Sequence, residues 1–322
     1  MPKPKRPPPK PAAGAAPGIL ELDRFSSADL RRWEALSADL EELSRELFFA
    51  LRPARDRLRP QLIDALQGSP HLTSLPIEHW ARIVPHEFSL VPLSAAGSLR
   101  SFGGRFNAGV ELDEGTLLPW PALYLAEDYE TAYRERFAAP RSDESSGLAP
   151  QELALAGRDS FSVVRISGRI DNVLDLRTPT ALDAVAKLYR RIDMPERAKT
   201  LRKRLGLTNR RSYMVRTAQQ LYVSIFEPNW RGRPAQFGLP ANGQILAEIA
   251  RASGYEGILY KSTKGKGDCL AVFPDKITTN SYLALSDPAP EETRHTRLDI
   301  ESADELCGFD TLPRRLGRSS FI

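Results

Sequence analysis

Three short stretches between residues 101 and 135 hold residue types that can act on one ligand. Ser101-Phe-Gly-Gly-Arg-Phe-Asn107 sets an arginine behind a glycine pair, Ala122-Leu-Tyr-Leu-Ala126 sets a tyrosine in a short apolar run, and Glu130-Thr-Ala-Tyr-Arg-Glu135 ends on a carboxylate. Glycines let backbone approach a ligand closely, because a residue without Cβ tolerates tight or left-handed turns. Arg105 can then grip a phosphate through two parallel N–H bonds. Tyr124 offers a flat face for stacking. Glu135 offers a carboxylate that can hold a sugar hydroxyl or stabilise positive charge developing on the ring. Together they suit a phosphate-bearing ligand whose ring is stacked and whose ribose is held.

Taken singly, each residue has an ordinary reading. Gly103-Gly104 before a basic residue reads as a turn, Tyr124 in an apolar run reads as core, and Glu135 between Arg134 and Arg136 reads as a solvated helix face. The order of the whole string carries the functional reading.

That string resembles the RES domain, the toxin module of RES–Xre toxin–antitoxin systems, in which a GGRW/F-N loop precedes a Y-L-A strand and an A-x-x-E helix. Asn172-Val-Leu-Asp-Leu-Arg-Thr-Pro-Thr180 is similar to the family's V-L-D-L-x-T-P segment, and Gly257-Ile-Leu-Tyr-Lys-Ser262 to its G-x-x-x-P-S element. Trp80-Ala-Arg-Ile-Val-Pro85 resembles the first strand more weakly. The resemblance spans about residues 78 to 280.

The resemblance implies an α+β, ADP-ribosyltransferase-like fold, a split antiparallel sheet with helices around an NAD cleft. It also implies that NAD is the substrate, with no further cofactor, cleaved between nicotinamide and ribose, the ADP-ribosyl group passing to water or inorganic phosphate. Carried over, the catalytic residues are Glu135, Tyr124 and Arg105. Arg82 and Arg105 hold the pyrophosphate and adjacent ribose, Tyr124 stacks on nicotinamide, Ser262 shapes the pocket and Gln244 supports it. Two departures stand out. Arg82 follows an alanine where the family prefers an aromatic, which leaves His86 as the alternative ligand-facing group, and Tyr260-Lys-Ser262 stands where family members often carry V-P-S. An ADP-ribosyltransferase acting on a macromolecule, or a non-catalytic partner- or nucleic-acid-binding protein on the same scaffold, are the alternative readings. A cognate antitoxin or immunity protein is the implied partner.

These residues need a scaffold, and the 322 residues, 41% of them hydrophobic, are enough to bury a full core. No window approaches the roughly 18 to 20 apolar residues that span a bilayer, and no apolar h-region follows the basic start, which points to the cytoplasm and away from membranes. Two cysteines, Cys269 and Cys307, and four scattered histidines lack ligand spacing, so no metal site is expected. Phosphate-loop, Rossmann and G-x-S-x-G patterns are absent.

Four regions follow from composition and periodicity together with what the resemblance implies for the third. Residues 1–18 are a Pro/Lys-rich tail expected to be disordered. Residues 19–76 form a helical extension: Ser27 caps a first helix bearing Leu30, Trp33, Leu36, Leu40, Leu43, Leu47 and Leu51 on one face, Pro53 breaks or kinks it, and a second run ends at Gly68. The extension can cover the catalytic domain, bind a partner or complete the core. Residues 77–285 form the catalytic domain, with strands at 161–166, 173–176, 258–260 and 269–273, helices at 180–191 and 244–252, and a hairpin turn at Lys264-Gly-Lys-Gly267. Residues 286–322 are a C-terminal tail. Within the domain, Lys187 to Arg216 holds eleven basic residues against Asp193 and Glu196, while the whole chain is only +4. Such a block suits an acidic partner or a solvated helix face. Its two aromatics, Tyr189 and Tyr213, stand near its ends and do not interleave with the basic residues, which argues against nucleic acid.

Overall fold

The computed structural model describes residues 27–137, 160–207 and 214–308. The Pro/Lys stretch, Arg210 and Arg211 of the basic block, and residues 309–322 lie outside them, as do the side chains of Ser27, Leu30 and Trp33.

Two long strands organise the fold. β1 (His71–Pro85) and β5 (Phe161–Asp175) run antiparallel along nearly their whole lengths, with a register shift between Ile77 and Trp80. β4 (Leu123–Ala126) joins β1 at Ala81↔Ala126 and pairs with β7 (Asp268–Val272), which pairs with β6 (Gly257–Lys261), which returns to β5. The five strands therefore close a ring. β8 (Tyr282–Leu285) and β9 (Arg297–Leu298) extend it from β5, and β2 (Gly103–Gly104) and β3 (Asn107–Ala108) form a separate ribbon.

The expectation of an antiparallel sheet needs one correction, since β5 and β6 run parallel. Parallel neighbours need a long crossover. Here it is the stretch from 176 to 256, containing α4 (Asp183–Tyr189), α5 (Glu196–Arg204), α6 (Ala218–Ile225), α7 (Gly232–Phe237) and α8 (Asn242–Ala252). The strands expected separately at 161–166 and 173–176 are one strand, β5, whose ends serve different neighbours.

Side chains alternate across the ring with the period of two that a pleated strand imposes. Leu123, Leu125, Leu259, Leu270 and Val272 enter one apolar cluster with Ile166, Ile170 and Leu283, whereas Ala126, Ile258, Tyr260, Cys269 and Ala271 join the cluster formed with the helices. Tyr124 faces the helical side with them. Both faces of the ring are thus packed, and Tyr124, Tyr260 and Cys269 all belong to the helical one.

The N-terminal helices complete the core. α1 (Ser27–Phe49) and α2 (Arg52–Gln67) meet at Pro53, which sits in the first turn of α2 where its missing N–H costs nothing. Leu62 and Leu66 of α2 are buried in the helix-side cluster, and Tyr255 donates its hydroxyl to the Leu66 carbonyl at 2.5 Å. The expected domain boundary at 77 falls inside β1. Residues 286–308, expected as tail, instead supply β9 and α9 (Ala303–Cys307), whose Leu306 is fully buried beneath the ring.

Candidate active site

β1 and β4 pair at Ala81↔Ala126 and then part, and a cavity of about 540 Å³ opens at that divergence. It is lined by Arg82 of β1, Arg105 of the glycine loop, Tyr124 of β4, Glu135 of α3 (Tyr129–Phe137), Tyr260 of β6 and the loop residues Trp230, Arg231 and Lys264.

The glycine loop is held from inside. Gly103 has φ +88°, the left-handed region that favours glycine. A Cβ on Gly104 would stand 2.4 Å from the Tyr124 hydroxyl and 2.7 Å from Asn107 Oδ1. That space is used by hydrogen bonds: Asn107 Oδ1 accepts from Gly104 N and from the Tyr124 hydroxyl, both at 2.9 Å, and that hydroxyl accepts from Phe106 N at 3.0 Å. Burial raises the Tyr124 pKa, so its hydroxyl stays protonated and serves this network.

Gln244 supports the site from behind the cavity lining. It is fully buried, outside the cavity lining, and its Nε2 donates to the carbonyls of Phe102, Gly104 and Asn107 while its Oε1 accepts from Ala241 N. It holds the loop that carries Arg105. His86 also lies outside the cavity lining, exposed in a short 3₁₀ turn after β1.

The two arginines are spent on backbone to different degrees. Arg82 donates Nη1 to the Tyr124 carbonyl at 3.2 Å and Nη2 to the Ser94 carbonyl at 3.0 Å, bridging the gap where the strands separate. Its Nε is buried without a partner, and burial brings its pKa down to about 10. Arg105 donates Nη1 to the carbonyls of Ile225 and Glu227 at 2.8 and 3.2 Å, tying the loop to the end of α6. Its Nε and Nη2 have no partner among the described residues. Its pKa is lowered by burial, against which Tyr260 and Glu135 pull upward.

Glu135 owes its position to both ends of its surroundings. Asp128 caps α3 by accepting from Thr131 N at 2.7 Å, which fixes where the second turn points. The β6–β7 hairpin then docks on α3, and glycine makes that contact feasible: a Cβ on Gly267 would lie 2.7 Å from both Asp128 Oδ2 and Thr131 Oγ1. Docked so, Ser262 Oγ donates to Glu135 Oε1 at 2.6 Å and Thr263 N donates to the same oxygen at 3.0 Å. Oε2 has no partner among the described residues. Ser262 is therefore a positioning residue, itself oriented by the amides of Lys264 and Gly265 at 3.1 and 2.7 Å.

Five lining residues, Trp230, Arg231, Tyr260, Lys264 and Cys269, escaped sequence reasoning. Trp230 lies within 5.5 Å of the Arg105 guanidinium and 4.7 Å of that of Arg231. The only signal in sequence was an aromatic next to arginine in a Pro/Gly-rich stretch. Lys264 was read as part of a turn, and Tyr260 only as a departure from a motif. Cys269 also lines the cavity, but burial foremost and the Glu135 charge next raise its pKa, so the thiol stays protonated and inert. Among the described residues no cluster of His, Cys, Asp and Glu could hold a metal ion.

None of the described basic-block residues lines the cavity. α5 packs on α1 through Ala198 and Leu201 against Leu43, and its charges meet acids of α1: Arg204 pairs with Asp39 at 2.9 Å and Arg197 with Glu42 at 2.8 Å. The acidic partner of this block is in part the chain's own first helix.

A family model described as the RES domain matches residues 79–295. No match is found among curated proteins. Among solved structures, one chain of the M. tuberculosis MbcT-MbcA toxin–antitoxin complex is 20% identical over 76% of this chain and 94% of its own, with a TM-score of 0.38, a likeness too loose to carry an argument.

Proposed function

Because the chain belongs to the RES-domain family, we propose that it is the toxin of a toxin–antitoxin pair and that it cleaves NAD between nicotinamide and ribose, on an ADP-ribosyltransferase-like scaffold in the cytoplasm. The observation that carries this reading is Glu135: one carboxylate oxygen is locked by Ser262 and the Thr263 amide while the other is left open in a cavity shared with Arg105 and Tyr124.

In the proposed reaction the bond between ribose C1′ and the nicotinamide nitrogen breaks with its electron pair leaving on nicotinamide. Positive charge then develops on the ribose, where the Glu135 carboxylate stabilises it and accepts from a ribose hydroxyl. A preorganised carboxylate does this without reorganising at the moment of reaction. The diphosphate calls for cations with donors to spare. Arg231, Lys264 and the remaining donors of Arg105 meet that need, whereas Arg82, with both terminal nitrogens on carbonyls, shapes the mouth. Tyr124 and Tyr260 supply ring surface for the nicotinamide side. Water or inorganic phosphate then adds through oxygen at C1′ and releases its proton to solvent.

The test is incubation of the purified chain with NAD, with and without inorganic phosphate, and identification of products by mass. Free nicotinamide with ADP-ribose indicates hydrolysis, and a phosphorylated ADP-ribose indicates phosphorolysis. Absence of free nicotinamide overturns the reading.

A further inference from the structure

A second cavity, of about 190 Å³, lies where α1 and α2 meet the crossover helices, with apolar walls from Leu47, Leu51, Leu221, Ile245 and Leu246. Four polar residues also line it: Arg55 of α2, Tyr189 of α4, Arg233 of α7 and Asn242 of α8. No carboxylate is among the described lining residues. Arg55 donates Nη2 to the Phe48 carbonyl at 2.7 Å, with its guanidinium 4.7 Å from the Phe48 ring. Arg233 has neither a hydrogen bond nor an ion pair among the described residues. Asp56 acts on Arg55, and Glu227 on Arg233, through space without pairing.

Two half-buried guanidiniums line one largely apolar space with no counter-ion among the described residues, which leaves charged donors in want of an anion. Burial foremost, and then Arg55, lower the pKa of Arg233. Burial pushes Tyr189 up to about 12, so its hydroxyl remains a donor at neutral pH. All the charged donors call for an anion, and the planar fork of arginine matches a carboxylate. The walls call for an apolar body behind it. A nucleotide is a poor fit, since this space is about a third of the 540 Å³ cleft.

We infer that this cavity binds a small monocarboxylate with a short apolar body, its carboxylate held by Arg233 and Arg55 and its body lying against Leu221, Ile245 and Leu246. The inference does not rest on NAD cleavage, and its test needs no NAD.

Calorimetry on the full chain with octanoate, octanamide and inorganic phosphate separates the outcomes. Octanoate should bind one to one, with octanamide at least about tenfold weaker because it lacks the charge. Arg233→Gln should weaken octanoate at least about tenfold while thermal unfolding still shows a cooperative transition. Arg233→Lys, which keeps the charge and loses the fork, should fall between them. No binding of octanoate overturns the inference. So does equal binding of octanamide, which would mark a merely apolar void, or unchanged affinity in both variants, which would put the ligand elsewhere. Phosphate displacing octanoate at equal concentration would also overturn it, by showing a site for anions in general.

Discussion

Arg105 and Arg204 carry the same side chain, yet their surroundings differ in kind. Arg105 is buried, bonded to two backbone carbonyls and set beside Trp230 and Phe226. Arg204 is 54% exposed and meets one carboxylate, Asp39, across a helix pair. A hydrogen bond to a buried charged group contributes about 1.5 to 3 kcal/mol, whereas an exposed ion pair contributes about 0 to 1 kcal/mol. The densest charge in the chain therefore lies where charge does least, and the cleft draws its character from fewer groups held more firmly. Charge density locates a surface, while burial with bonding locates a site.

The comparison is tested most severely at Glu135. Glu135→Gln keeps an oxygen to accept from Ser262 and Thr263 but removes the charge. Loss of a preorganised charge of this kind should lower NAD turnover by about 10² to 10³ and abolish growth arrest on expression. Melting temperatures of parent and variant should agree within a few degrees. Turnover equal to the parent would remove Glu135 from the chemistry.

Gly104→Ala should act next most strongly, since its Cβ has no room beside the Tyr124 hydroxyl and Asn107. Overpacking of this sort costs about 1 to 3 kcal/mol, visible as an earlier denaturant midpoint, and should cut turnover by about tenfold through a displaced loop. An unchanged midpoint would show that the loop yields freely and that its hydrogen bonds hold little.

Arg105→Lys sharpens the comparison by keeping charge and removing the fork. KM for NAD should rise by about tenfold with a smaller change in kcat, as expected when binding rather than transition-state stabilisation is lost. NAD affinity equal to the parent by calorimetry would leave Arg105 as a loop anchor only.

The smallest effect is expected on the flank. Replacing Lys199, Arg202, Lys203 and Arg204 together by glutamine should leave turnover within about threefold, because exposed charges beyond about 8 to 10 Å are largely screened at physiological salt. Loss of the Arg204–Asp39 pair should lower the melting temperature by a few degrees at low salt, and less at high salt. A collapse of turnover in the folded variant would make the two regions one.

Much of this was legible in the chain. Gly103-Gly104 before Arg105, Tyr124 in an apolar run and Glu135 on the following helix mark three elements whose local geometry follows from residue type, and all three side chains line one cavity. The alternation that puts Tyr260 and Cys269 on the helical face, the break at Pro53 and the glycine-rich hairpin are likewise local consequences of period and backbone freedom. What only the tertiary structure decided is how donors and acceptors are shared out, because a hydrogen bond between residues far apart in sequence has no local signature. Gln244 is a brace for the loop, Ser262 positions a carboxylate 127 residues away, Arg82 closes the gap between parting strands, and the acids facing the basic helix come from α1. The parallel pair of β5 and β6, and with it the closed ring, follows from the path of an 81-residue crossover between Leu176 and Glu256, which no short-range pattern records.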